Sequence, residues 1–287
     1  MVKIRQGMMK DCTDLLEVYQ GTRWFYRIRE GGYTTVEHVK DEHRGAAFER
    51  WGWLVAEEKG RVIGEIVFRI EKNPISGKIG IIRNLDVDVR NQKTTVGTQL
   101  TQAAEKVMKS KNVARVIATT PPASYNYWMK VKYFARGSIA KLKSPLGKIP
   151  TRKTTKIKTN QLKDLRKLPA SLKFSHIAYP GAFAELAADI IDGRFVGKIF
   201  EFQQDDKLIG IGAITKKDSK SAVFVADITK RGIGSSDIVI SRTALSASSW
   251  KVKSVETMIP KDQLEVYSTL SKWSSELSTD IPVTRLI

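Results

Sequence analysis

Cysteine and histidine are scarce: Cys12 is alone, and only His38, His43 and His176 accompany it among 287 residues. One thiol cannot close an intrachain disulfide, and one thiol with three imidazoles cannot build a Cys-rich zinc module. Such cysteine usage fits a reducing, intracellular compartment. No apolar run approaches the roughly 18 to 20 residues of a membrane span, and the opening MVKIRQGMMKDC has neither the apolar core nor the cleavage region of a secretory signal. These absences predict a soluble, cytoplasmic protein without a metal centre. With 41% hydrophobic and 28% charged residues, the composition excludes disorder and collagen-like repeats and allows one large domain or two smaller ones.

Acidic residues are also few, 30 against 49 Lys and Arg, which gives a net charge of +19. The excess is local: residues 101–200 hold 20 basic and five acidic side chains. Its centre is KLKSPLGKIPTRKTTKIKTNQLKDLRK, residues 141–167, where ten basic residues face only Asp164. Pro145, Pro150, several threonines and the lack of a helical apolar period predict an exposed connector. The expected organisation is therefore a first domain over 1–145, a basic linker over 146–168 and a second domain over 169–287.

Within each half, strands alternate with helices. VKIRQ predicts a strand, DCTDLLEVYQ and TVEHVKDEHRGAAFERW predict helices, and WGWLVAEEKGRVIGEIVFRIEK predicts a hairpin turning at Glu58-Lys59-Gly60. Strand IGIIRNLDVDV then leads into an amphipathic helix, strand VARVIATT and a short helix entered through Pro121 and Pro122. The second half repeats the plan. Its hairpin GKIFEFQQDDKLIGIGAITKK answers the first, with Leu208-Ile209-Gly210 in place of Val62-Ile63-Gly64, and Ile233-Gly234 answers Val96-Gly97. Strand KSVETMIP, helix KDQLEVYSTLSKW and strand IPVTRLI complete it, with Tyr267 answering Tyr127. Matches in one order, with shifts that drift only through loops, imply two copies of one α/β unit.

The chemistry-bearing element is a strand that passes through a loop of small and polar residues directly into a helix. Successive backbone N–H groups at such a turn, reinforced by the helix dipole, cradle phosphate oxygens. The loops are Gln92-Lys93-Thr94-Thr95-Val96-Gly97 and Thr229-Lys230-Arg231-Gly232-Ile233-Gly234, neither of them a Walker loop or a dinucleotide fingerprint. Here the chain resembles the GNAT superfamily of acyl-CoA-dependent N-acetyltransferases, whose signature is a strand followed by Q/R-x-x-G-x-G/A and a helix. LDVDVRNQKTTVGTQLTQAAEKV supplies Leu85, Val87, Gln92 and Gly97, with Thr95 where the first glycine is expected. The hairpin and YWMKVKYFARG resemble further elements of the family in its order, over roughly residues 3–140. The second copy keeps Gly232 and Gly234 but has Thr229 in the Q/R position, so it reads as degenerate.

The resemblance implies two units of mixed, mostly antiparallel sheet flanked by helices, and acetyl-CoA as co-substrate for an amine acceptor, a small molecule or a protein. It assigns cofactor contacts to Val87, Val89, Gln92, Lys93, Thr94, Thr95, Val96, Gly97 and Thr98, with Val87 N–H as oxyanion donor. Asp86 or Asp88 is the candidate base and Tyr127, or Tyr125, the candidate acid; the family's usual tyrosine position falls on Met129. Blander assignments stand beside these: an exposed strand face for the two aspartates, core packing for Tyr127, surface positions for His38 and His43, and core or pocket lining for tryptophans including Trp24, Trp51 and Trp53. Two competing functions share the scaffold, a nucleic-acid binder using the basic run, in particular for RNA, and a non-catalytic CoA-binding protein.

Overall fold

A computed structural model describes residues 1–21, 35–73, 77–152, 154–162 and 176–287. Trp24 and the linker residues Lys153, Lys163, Asp164, Arg166 and Lys167 lie outside the described residues. The first unit begins with β1 (Lys3–Gln6), α1 (Cys12–Gly21) and α2 (Val36–Glu42), followed by β2 (Trp53–Glu58), β3 (Arg61–Asn73) and β4 (Gly77–Val87). The β2–β3 turn places Lys59 at φ 51° and Gly60 at φ 80°, the left-handed pair that matches the twist of a tight hairpin. Helix α3 (Val96–Ser110), β5 (Arg115–Thr120), α4 (Tyr125–Lys130), β6 (Phe134–Ala135) and β7 (Ile139–Pro145) follow. The remaining elements are β8 (Ile157–Leu162), α5 (Ala182–Ile191), β9 (Gly197–Gln204), β10 (Lys207–Lys216), β11 (Ser221–Ile228), α6 (Ser236–Leu245), β12 (Ser254–Pro260), α7 (Leu264–Ser268), β13 (Ser274–Leu277) and β14 (Ile281–Leu286).

The strands form two seven-stranded sheets, ordered β1-β2-β3-β4-β5-β14-β6 and β13-β7-β12-β11-β10-β9-β8. Each contains one parallel pair, β4 with β5 and β11 with β12, and is otherwise antiparallel. The repeat is visible in register, because Gly64 pairs with Val87 as Gly210 pairs with Ile228.

The sheets do not follow the linear boundary expected at residue 145. Strand β7, from the first half, lies between β12 and β13, whereas β14, from the end of the chain, lies between β5 and β6. The two units exchange their seventh strands. The expected linker is also partly built into the second sheet: β8 pairs with β9, and Ile149 and Ile157 are buried. Proline and charge content suggest a solvated connector, but the alternation of buried Ala140, Leu142 and Ser144 with exposed Lys141, Lys143 and Pro145 supplies an inner face for β7. Several outward basic groups are paired: Lys143 with Glu256 at 3.0 Å, Lys158 with Asp206 at 2.9 Å and Arg152 with Asp237 at 3.4 Å.

Opposite faces of the first sheet carry separate cores. Ile63, Ile66 and Phe68 pack with Leu100, Ala104 and Met108 of α3, whereas Val62 and Val67 pack with Leu15 and Val18 of α1 and Val39 of α2. In the second unit, Phe183, Ala184 and Ala187 of α5 share a core with Ala46 and Ala47 of the first. Polar contacts reinforce this junction, including Arg69 Nη2 donating to Gly181 O at 2.5 Å and Gly181 N–H donating to Glu71 Oε2 at 3.1 Å.

Candidate acyl-transfer site

Strands β4 and β5 pair only from Ile79–Arg115 to Ile82–Ala118, although both continue further. At the point where they part, β4 takes a bulge: Asn84 and Ile82 oppose consecutive residues of β3, leaving Arg83 as the extra residue. The rest of β4 stays paired with β3 as far as Val87. The result is an opening in the sheet, bordered by the free edge of β4 and closed at one end by the turn into α3.

Backbone alternation aims Val87 into that opening. Asp88 N–H donates to Ile63 O of β3 at 2.9 Å, so the N–H and C=O of Val87 point to the other side. Val87 O accepts the Gln92 side-chain amide at 3.1 Å, which ties the turn to the strand end. Val89 is not on the strand edge: residues Val89–Asn91 form a single 3₁₀ turn, and the Val89 side chain is exposed. Asp88 explains that departure, since its carboxylate accepts Arg90 N–H at 2.9 Å and holds the Arg90 guanidinium at 2.5 Å.

The loop to α3 is compact and presents backbone. Lys93 adopts φ 64°, and Gln92, Lys93, Thr94 and Thr95 are exposed. Thr94 Oγ1 donates to Asn91 O at 2.5 Å and accepts Val96 N–H at 3.3 Å. Val96 therefore spends its amide within the protein, and its side chain is buried beside α3. The Gly97 and Thr98 amides head the helix, where no intrahelical carbonyl reaches them. A Cβ on Gly97 would lie 3.2 Å from the Tyr127 ring, so this glycine lets the aromatic helix pack against the first turn of α3.

The candidate acid and bases separate in space. Tyr127 OH bonds Thr101 Oγ1 at 2.7 Å on α3, with burial pushing its hydroxyl up to about 12. Tyr125 OH accepts Ala135 N–H at 3.4 Å, and Met129 is exposed. Asp88 is held below the usual carboxylate range, first by its hydrogen bond to Arg90, and its carboxylate caps the turn. Asp86 is buried and pairs in register with Glu65, on the face of the sheet covered by α1 and α2.

Glu65 and His43 were not distinguished by sequence reasoning. His43, expected at the surface, is buried just beyond α2, with Nε2 3.0 Å from Glu65 Oε2 and Nδ1 2.7 Å from Val39 O. Trp53 Nε1 donates to the same carboxylate at 2.8 Å, and Tyr19 OH bonds its other oxygen. A charged residue amid the apolar run of β3 was the available signal. Tyr179 was also missed: its hydroxyl bonds Thr119 Oγ1 on β5, the first residue beyond the parallel pairing. No sequence pattern linked it to a strand 60 residues away.

In the second unit, β11 and β12 likewise pair only from Ser221–Ser254 to Val223–Glu256. There Asp227, the register equivalent of Asp86, is fully buried and accepts backbone N–H groups from His176, Ile177 and Ile228 at 2.8–3.1 Å. Its loop is a 3₁₀ turn over Lys230–Ser235, with Thr229 Oγ1 donating to Leu208 O and Ile209 O at 3.2 Å. Among the described residues, no cluster of three or more His, Cys, Asp or Glu residues is placed to hold a metal ion, and no helix is long and apolar enough to cross a membrane.

Residues 18–130 match the acetyltransferase (GNAT) family. No curated protein sequence matches the chain significantly. Among solved structures, a GCN5-related N-acetyltransferase from Anabaena variabilis ATCC 29413 is similar over 100% of this chain and 73% of its own, with TM-score 0.66 and 11% identity. A conserved protein of unknown function from Enterococcus faecalis V583, described as a probable N-acyltransferase, is similar over 100% of this chain and 72% of its own, with TM-score 0.60 and 9% identity. A GCN5-related N-acetyltransferase from Kribbella flavida gives TM-score 0.58 at 12% identity, over 100% of this chain and 71% of its own. The match to the acetyltransferase (GNAT) family lies over the first unit, whereas the similarity of fold to these solved structures extends over both units, the second repeating the architecture of the first.

Proposed function

We propose that the first unit is an acetyl-CoA-dependent N-acetyltransferase acting on a primary amine. The observation that carries this reading is the opening between β4 and β5, which exposes Val87 N–H and ends at the amides that head α3. These groups fit a thioester cofactor with a pyrophosphate: strand backbone for an amide-rich arm, and helix N-terminal amides for phosphate. The amides of Lys93, Thr94, Thr95, Gly97 and Thr98 would hold the phosphates, whereas Val96 contributes packing. Acetyl-CoA supplies the activated acyl group.

Val87 N–H donates to the acyl oxygen as charge develops there. Asp86 accepts the proton released by the attacking amine, directly or through water. A carbon–nitrogen bond forms as the carbon–sulfur bond breaks, and the electron pair leaves on sulfur. Asp88 serves the turn rather than the proton transfer, because Arg90 occupies it. Tyr127 supports α3 through Thr101. The second unit is a degenerate copy whose Asp227 is committed to backbone amides.

Calorimetric titration of acetyl-CoA into the wild type and Thr95→Glu tests this reading. Thr95 is exposed at the N-cap of α3, so the variant sets an anion in the phosphate cradle without disturbing the Tyr127 packing that a Gly97 substitution would strain. One site per chain is expected, weakened at least about tenfold in the variant. No binding by the wild type refutes the reading, and binding without turnover of any amine favours a non-catalytic CoA-binding protein.

A further inference from the structure

We propose that Tyr179, carried by the second unit, binds the acceptor amine at the mouth of the β4–β5 opening in the first unit. This inference rests on the acyl-transfer reading above. The two strands bordering the opening present different side chains to the same face. On β5, Val116 and Ala118 pack with α3, so Thr119 points to the opposite face, the one that Glu65 shares with α1. On β4, Asp86 stands in register with Glu65 and therefore faces the same side. Asp86 and the Thr119–Tyr179 pair thus flank the opening from its two edges.

The phosphate cradle lies at the start of α3, and α3 packs on the other face. A thioester reaching through the opening from that end offers its acyl carbon to the face of Asp86 and Tyr179, so a group there meets the incoming amine rather than the phosphates. The hydroxyl is suited to that contact. Burial pushes it up to about 12, so it remains a neutral phenol able both to donate and to accept. One bond joins it to Thr119 Oγ1, and its remaining capacity can accept an N–H from the amine.

The second unit holds this tyrosine in place. Two residues on, Gly181 is clamped between Arg69 and Glu71 of β3, and Glu185 of α5 lies 3.3 Å from the bulge residue Arg83. The segment from Tyr179 to Glu185 is therefore a wall of the first unit's site supplied by the second. A degenerate second copy retains a use: it completes the acceptor side of the first.

The test compares wild type, Tyr179→Phe and Thr119→Val, each saturated with acetyl-CoA. Thiol release is followed with spermine, ethanolamine and a lysine-containing peptide as acceptors, and acetyl-CoA affinity is measured separately by calorimetry. For an amine that the wild type acetylates, Tyr179→Phe should raise KM about tenfold, with acetyl-CoA affinity unchanged within about twofold. Thr119→Val, which leaves the phenol present but unanchored, should have a smaller effect in the same direction. An unchanged amine KM in Tyr179→Phe, or an acetyl-CoA affinity that falls with it, overturns the proposal. So does a wild type that binds acetyl-CoA but acetylates no amine. A wild type that fails to bind acetyl-CoA refutes the acyl-transfer reading itself, and this inference with it.

Discussion

Asp86 and Asp227 occupy equivalent positions in the two sheets, yet their cross-strand partners differ: Glu65 faces the first and Ile211 the second. Asp227 is consumed by three backbone amides, and burial, opposed by those bonds, still pushes its carboxyl well above the ordinary range. One repeat has turned the aspartate into a structural plug, while the other keeps it beside an opening. Asp227→Ala should therefore destabilise the protein by about 3 kcal/mol, because buried N–H groups lose their acceptor. Asp227→Asn, whose Oδ1 can keep those bonds, should cost about 1 kcal/mol or less. Urea denaturation of the two variants checks the difference.

The two aspartates at the end of β4 should behave in opposite ways. Asp86→Asn is expected to lower kcat by about 10² to 10⁴ while the fold survives, the usual range for losing a proton acceptor. Asp88→Asn should leave turnover within a few-fold and lower stability by about 1 kcal/mol through a weakened cap. Parallel measurement of kcat and melting temperature decides the assignment, and the reverse pattern would exchange the roles.

His43 predicts a pH dependence of stability. Burial lowers its pKa, but the Glu65 charge and hydrogen bond, with smaller help from Val39 O and Glu42, raise it above the ordinary value. A raised folded pKa means that the pair's contribution is complete below the unfolded value, about 6.5, and is lost as pH rises through the folded value. The urea midpoint should fall across that alkaline window. Glu65→Gln should flatten the dependence, and an identical slope in that variant would remove His43–Glu65 as its source.

Exchange of β7 and β14 should make unfolding of the two sheets a single event. Val283 of β14 is fully buried with the core of the first sheet, although only four residues follow it in the sequence. Val283→Ala should cost about 2 kcal/mol and lower the hydrogen-exchange protection of β5 and of β12 together. Loss confined to the first sheet would show that the units unfold separately.

Much of this architecture was legible in the chain. Alternation and the Lys59-Gly60 turn placed the β2–β3 hairpin, and the run from Leu85 to Gly97 located the strand-to-helix turn, because strand period, left-handed turn residues and helix starts are local properties. The internal repeat likewise followed from its order of elements. Pairing partners were not local. Nothing in IPVTRLI distinguishes a strand of its own unit from one inserted beside β5, since the same apolar face satisfies either sheet. Backbone geometry separated Asp86 from Asp88, which the sequence left as equals, by giving one to Arg90 and setting the other opposite Glu65. The run TVEHVKDEHRGAAFERW predicts a longer helix with His43 on its surface, whereas ending α2 at Glu42 turns the imidazole inward onto a carboxylate. The sequence by itself determined two copies of one unit and the position of the strand-to-helix turn between Val87 and Gly97. Only the tertiary structure decided which strands complete each sheet and that Tyr179 reaches the first unit's opening, because both depend on contacts between segments far apart in the chain.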